Sequence, residues 1–156
     1  MPVTLLLLPW QRTGEPAANK ALVFASRFDG TGPRRARLLL TGGVRLYFAV
    51  LRAPGALGVS LYAQPLRGRY YTLSLWRDEG SLLAFARGRA HQRAVGRLAE
   101  LGPVRGVLIS RVADARQRPT WRDTTRWLAA IDPGPYRRQP SQQEPSSRHP
   151  DGAPGR

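Results

Sequence analysis

Residues 70–76 read YYTLSLW and are followed by Arg77 and Asp78. Leucines alternate there with hydroxyl-bearing and aromatic side chains at a period of two, which predicts a strand. Asp78 is an N-cap residue and opens a helix that the pattern carries to about Leu101, where Gly102-Pro103 stops it. On the N-terminal side, residues 57–63 alternate in the same way, and Gln64-Pro65-Leu66-Arg67-Gly68 supplies the turn between the two strands. Residues 33–52 repeat Leu39, Leu46, Ala49 and Val50 at helical spacing, with Pro33 suited to a first turn. Gly42-Gly43 weakens that helix by about 1 kcal/mol per glycine relative to alanine, which predicts a close helix–sheet contact or a kink there. Ala53-Pro54-Gly55 ends it. Residues 21–28 (ALVFASRF) and 104–112 (VRGVLISRV) are apolar runs of strand length. The order strand–helix–strand, strand–helix–strand predicts an α+β, ferredoxin-like βαββαβ domain. A short extra helix follows from Thr120 to about Ile131, with Thr120 and Asp123 at capping-box spacing.

Alternate side chains of a strand face opposite sides of the sheet. In residues 70–76, Tyr71, Leu73 and Leu75 share one side, and Tyr70, Thr72, Ser74 and Trp76 the other. In residues 57–63, Leu57, Val59, Leu61 and Ala63 oppose Gly58, Ser60 and Tyr62. The apolar sets are expected to carry the two helices. The semi-polar sets are expected on the other face, where each strand contributes one serine: Ser26, Ser60, Ser74 and Ser110. Such a face is too apolar to stand bare in water and too polar for a dry core. A second copy of the sheet would enclose it as a ligand pocket, giving a dimeric α/β barrel; a plain solvated face is the alternative.

With 156 residues the chain is long enough for one domain and short for two. It has no cysteine, which excludes disulfides, a thiol nucleophile, iron–sulfur clusters and thiolate zinc sites. Two histidines, His91 and His149, are too few for a multi-histidine metal centre. The formal charge is +15, and Lys20 is the only lysine among the 25 cations. These cations are spread over nearly every segment, the tightest groups being Arg34-Arg35-Ala36-Arg37 and Arg87, Arg89, Arg93 and Arg97. A GC-rich genome writing arginine for lysine accounts for them, so nucleic acid is not an expected partner; a polyanion-binding surface is the competing reading.

Composition divides the chain into an N-terminal extension (1–20), the ferredoxin-like domain (21–131) and a tail (132–156). The tail is rich in Pro, Gly, Ser and Gln, has little to bury, and is expected to be disordered with His149 in it. Residues 3–8 are apolar, but Pro9 and Trp10 end the run far short of the roughly 20 residues of a membrane span. No secretory signal pattern is present, so the expected compartment is the cytoplasm, with no membrane partner.

Tyr71-Thr-Leu-Ser-Leu-Trp76-Arg-Asp, Phe85 and Arg89-Ala-His91 together resemble the strand–turn–helix signature of antibiotic-biosynthesis-monooxygenase-like proteins. The resemblance extends from Leu8-Pro9-Trp10 through residues 53–61 to Pro119-Thr-Trp121, and is similar to an actinobacterial-type branch related to spheroidene monooxygenase. It implies a homodimeric α/β barrel. It also implies either cofactor-free oxygenation of polycyclic or carotenoid substrates, or the binding or degradation of haem. By position, Trp76 stands where the family has its strand-end tryptophan and His91 where it has its helix histidine. Ser26 or Arg27 stands in the region where oxygenases of the family use an asparagine.

His91 lies beside the stripe of Leu83, Ala90, Ala94 and Leu98. A neutral imidazole there is a candidate general base, or an axial ligand if haem is bound; hydrogen bonding to a neighbouring carbonyl is the structural alternative. Ser26, Tyr62, Thr72, Ser74 and Trp76 are the candidate ligand-binding residues. Trp121 and Trp127 are expected to pack the last helix on the body. No cofactor is required, haem being the one considered, and no metal site is expected otherwise. Three functions follow: a monooxygenase-like enzyme with a sheet-face pocket for an aromatic, polyene or haem-type ligand, a non-catalytic dimer sequestering a small hydrophobic molecule, or a polyanion-binding accessory protein. A hydrolase is excluded by the lack of a G-x-S-x-G setting for the serines, and a phosphate loop by the lack of its Lys-Ser/Thr element.

Overall fold

A computed structural model describes residues 5–102 and 104–135. The strands are β1 (Leu5–Arg12), β2 (Lys20–Asp29), β3 (Ala56–Gln64), β4 (Arg69–Trp76), β5 (Arg105–Asp114) and β6 (Gly134–Pro135). The helices are α1 (Pro33–Leu51), α2 (Glu79–Arg87), α3 (Arg89–Ala99) and α4 (Trp121–Ala129). The strands form one sheet in the order β1-β3-β4-β2-β5-β6, with every pairing antiparallel. Its middle, β3-β4-β2-β5, is the strand order of the ferredoxin-like βαββαβ unit that the periodicity predicts. The tail expected over 132–156 falls, from residue 136 on, outside the described residues, as does His149.

Local chemistry fixes the corners. Gly32 (φ 96°) turns the chain into α1, with Pro33 in its first turn. A 3-10 turn over Pro65–Arg67 ends at Gly68 in the left-handed region (φ 61°), and a Cβ there would meet the Gly30 carbonyl oxygen at 2.6 Å. The side chain of Asp78 accepts the Ser81 amide at 2.7 Å and starts α2. That of Thr120 accepts the Asp123 amide at 3.2 Å and starts α4.

Four features differ from the sequence reading. The N-terminal extension joins the sheet: Leu5–Arg12 pairs with the outer edge of β3. Pro9 is tolerated there because an edge strand has one side with no ladder to donate to. The single helix expected from Asp78 to Leu101 is two helices, because Gly88 leaves helical backbone (φ −70°, ψ 158°). The faces of β4 are reversed: Tyr70, Thr72, Ser74 and Trp76 lie toward α1, α2 and α3, while Tyr71, Leu73 and Leu75 lie on the opposite side. Leu57 also departs from Val59, Leu61 and Ala63, because the register shifts between Ala56 and Gly58 and puts Leu57 on the opposite side.

The fourth difference is what covers the far face. Residues Ala21, Val23, Ala25, Leu73, Leu75 and Val107 form a core with Leu128 of α4, and Trp10, Trp121 and Trp127 pack around it. Trp121 and Trp127 thus hold the last helix on the body as expected, and the Arg111 guanidinium lies 4.7 Å over the Trp127 ring. The four serines do not share this face. Ser26 and Ser74 are buried on the helix side, and Ser110 sits opposite Phe24 on that side but is exposed. Only Ser60 looks toward α4, where its hydroxyl accepts from Trp121 Nε1 and donates to the Leu8 carbonyl, both at 3.0 Å. The chain's own helix α4 packs on this face where an open row of serines is expected.

Candidate functional site

The site is built on β4. Alternation sends Tyr70, Thr72, Ser74 and Trp76 toward the helices, and each finds a different partner. Trp76 is fully buried; its indole N–H donates to Ser74 Oγ at 2.8 Å, and Ser74 Oγ in turn donates to the Phe24 carbonyl at 3.4 Å. Thr72 pairs hydroxyl to hydroxyl with buried Ser26 across the β2–β4 ladder. Tyr70 is 6% exposed, and its hydroxyl, shut off from solvent, has no hydrogen-bond partner among the described residues. Burial raises its pKa above the ordinary value of 10.0, so the group is a neutral donor.

Tyr70 and Thr72 line a cavity of about 60 Å³ between the sheet and α1 and α3, with Phe28, Leu39, Leu61 and Leu98 as its apolar walls. The two glycines of α1 set its shape. A Cβ on Gly43 would touch Leu61 at 3.6 Å, so there the helix rests on the sheet, whereas a Cβ on Gly42 would meet nothing within 4 Å. The glycine pair thus gives both the close contact that the sequence predicts and empty space beside it.

Of the candidate residues, the structure joins Ser26 with Thr72 and Ser74 with Trp76, and brings only Thr72 of these to the cavity wall. Trp76 is a core residue, its ring 5.1 Å from that of Phe85. Tyr62 borders the cavity, but its ring packs on the far face against Tyr71 at 5.3 Å and Trp121 at 5.4 Å. His91 stands in the first turn of α3, its ring 5.9 Å from Phe85, and lines neither of the two cavities described here. Its Nδ1 donates to the Ala86 carbonyl at 3.0 Å, and Gln92 Nε2 donates to the same oxygen at 2.7 Å. Together they satisfy a carbonyl that the break at Gly88 leaves without a helical partner. Burial lowers the His91 pKa below 6.5 against an opposing pull from the Ala86 hydrogen bond, so the ring is neutral at pH 7.

Haem does not fit these residues. The cavity is smaller than the roughly 150 Å³ that holds a single benzene ring, and the candidate axial ligand lies outside it. Among the described residues there is no group of three or more metal-ligating side chains, and no helix is long and apolar enough to cross a membrane. Tyr70 and Gly42 are the site residues that sequence reasoning missed. Tyr70 stood in the semi-polar set without a role, and Gly42-Gly43 was the signal for the cavity.

No family model matches the chain, and no curated protein matches it. Solved structures do. A Deinococcus radiodurans protein described as a "putative antibiotic biosynthesis monooxygenase" superposes with a TM-score of 0.50 at 16% identity, over 64% of this chain and 96% of that one. The chain has the antibiotic-biosynthesis-monooxygenase-like fold. A Lactobacillus acidophilus "putative monooxygenase" matches that fold here at TM-score 0.53 and 8% identity, covering 70% of this chain and 53% of its own. A Shewanella oneidensis protein matches at TM-score 0.50 and 11% identity, covering 67% and 98%. Beyond the βαββαβ unit, the chain carries β1 at one sheet edge and α4 over the far face.

Proposed function

We propose that this chain is a monooxygenase-like protein that takes a small aromatic molecule bearing one oxygen between its helical layer and its sheet. The observation that carries this reading is the Tyr70 hydroxyl, buried, neutral and without a partner among the described residues, on the wall of an apolar cavity. An unsatisfied buried donor costs about 1–3 kcal/mol, and a ligand oxygen accepting from it would recover that cost. Entry requires α3 to move, and α3 is suited to it: none of its residues is fully buried, and it leans mainly on α1. The same movement has to widen the hollow, which at about 60 Å³ is too small for a ring as it stands, and Gly42, with no side chain, leaves α1 space to give on that wall.

Oxygen chemistry without a metal needs the substrate's proton removed. The cavity wall holds tyrosines and Arg97 but no histidine or carboxylate. That composition favours a second reading, binding without turnover. Titration with phenol by calorimetry, together with an oxygen electrode, tests both. Saturable binding that weakens severalfold in Tyr70→Phe and is lost in Gly42→Leu supports the pocket. Oxygen uptake separates enzyme from binder, and binding indifferent to both substitutions overturns the assignment.

A further inference from the structure

On the opposite side of β4 the register assembles a second concavity. Arg27 lies across from Tyr71, Tyr62 across from the same Tyr71, and Gln64 across from Arg69. Directly opposed residues share a face with their Cβ atoms about 5 Å apart, so these side chains converge at one end of the sheet. The turn after β3 adds Arg67. Helix α4 closes the other wall with Arg122 and Arg126, four residues apart and hence on one side of the helix. The result is a cleft of about 420 Å³, open to solvent, in the size range of small-molecule sites.

Its charge is unbalanced. Arg27 is buried at the floor and gripped by Asp29, Nε to Oδ1 at 3.1 Å and a terminal nitrogen to Oδ2 at 3.2 Å. None of Arg67, Arg69, Arg122 and Arg126 has a carboxylate within ion-pair distance among the described residues. Four guanidinium groups held around one hollow repel one another, and planar guanidinium forks match phosphate oxygens two at a time. Arg89, Arg93 and Arg97 lie along a single helix, α3, whereas here both walls of one depression supply the charge.

The geometry points to this cleft as a binding site for a small diphosphate-class anion, one phosphate facing Arg67 and Arg69 and the next facing Arg122 and Arg126. A nucleic acid strand fits less well. Tyr62 and Tyr71 pack on each other and on Trp121, at 5.3, 5.4 and 6.3 Å, so their faces are not free platforms on which bases stack.

The test is calorimetric titration of the full chain with inorganic pyrophosphate at low ionic strength, with a single-stranded oligonucleotide in parallel. Two double variants are compared: Arg69→Gln/Arg126→Gln in the cleft, and Arg34→Gln/Arg37→Gln on α1, which line neither cavity. Both lose the same charge, so any difference reports position. One-to-one pyrophosphate binding that weakens roughly tenfold or more in the cleft variant and barely in the α1 variant is expected, since each lost contact is charge-assisted. No pyrophosphate binding, equal weakening in the two variants, or binding confined to the oligonucleotide each overturns the proposal.

Discussion

Replacing Tyr70 by phenylalanine should stabilise the free protein. The residue is 6% exposed and its ring would keep its contacts with Phe28, Leu39 and Leu98, so the substitution removes only the hydroxyl. That hydroxyl has given up its hydration and gained no partner among the described residues, a loss of about 1–3 kcal/mol. Allowing for relaxation, a gain of about 1 kcal/mol is expected, which for a chain of this length corresponds to roughly 3 °C in melting temperature. Tyr47 is the internal control: it is equally buried, but its hydroxyl donates to the Pro9 carbonyl at 3.4 Å, so Tyr47→Phe should lose stability. Alkaline pH supplies a second readout with a definite sign. Burial raises the Tyr70 pKa above 10.0, so the folded chain holds its proton where the unfolded chain releases it. Stability should therefore fall as pH rises past about 10, and less so in Tyr70→Phe. Urea and thermal unfolding followed by circular dichroism measure both. If Tyr70→Phe destabilises as Tyr47→Phe does, the hydroxyl is satisfied in the free protein and the reasoning behind the pocket fails.

Other expectations concern the added elements and His91. Ser60→Ala leaves the Trp121 N–H and the Leu8 carbonyl without their shared partner, and should cost about 1–3 kcal/mol in urea unfolding; a cost under about 0.5 would mean that β1 and α4 are held without it. Leu128→Ala removes a fully buried side chain at the centre of the far core and should cost about 2–5 kcal/mol, with a red shift in tryptophan fluorescence as α4 loosens. For His91 the folded pKa lies below 6.5, so the unfolded chain takes up the proton first as pH falls. The stability it contributes is complete above about pH 6.5 and declines below it. In His91→Gln, which can still donate to Ala86, that decline should disappear from unfolding curves across pH 5 to 7.

Much of the fold could be read from the chain because each repeat element carries its own period. Residues 33–52 and 70–76 were placed within a residue of their structural limits, and Thr120 caps the last helix as read. The faces of β4 could not be read. Alternation reports direction only when one side of a strand meets water, and here both sets of side chains are buried. This ambiguity, with the same one on β2 and β5, put Ser26, Ser74 and Ser110 on the wrong face, though not Ser60, and with them went the case for a second sheet. β1 was missed because Pro9 reads as a breaker unless the strand is known to lie at an edge. The break at Gly88 was missed because one glycine within a helical pattern is ordinarily tolerated. Of the site, Thr72 was found as a hydroxyl on the correct strand, while Tyr70 needed coordinates, because a missing partner leaves no trace in sequence. The arginines of the cleft were counted but not located, since 67, 69, 122 and 126 meet only through tertiary packing.

Neighbouring tyrosines of one strand, Tyr70 and Tyr71, serve hollows on opposite sides of the sheet. Substitution can retune either wall alone. Gaining or losing a single residue between Arg69 and Trp76 would instead exchange the walls, sending Leu73 and Leu75 beneath the helices and Trp76 toward α4. Diverging descendants of this chain are thus free to vary the composition of β4, while its length is held fixed by two chambers at once.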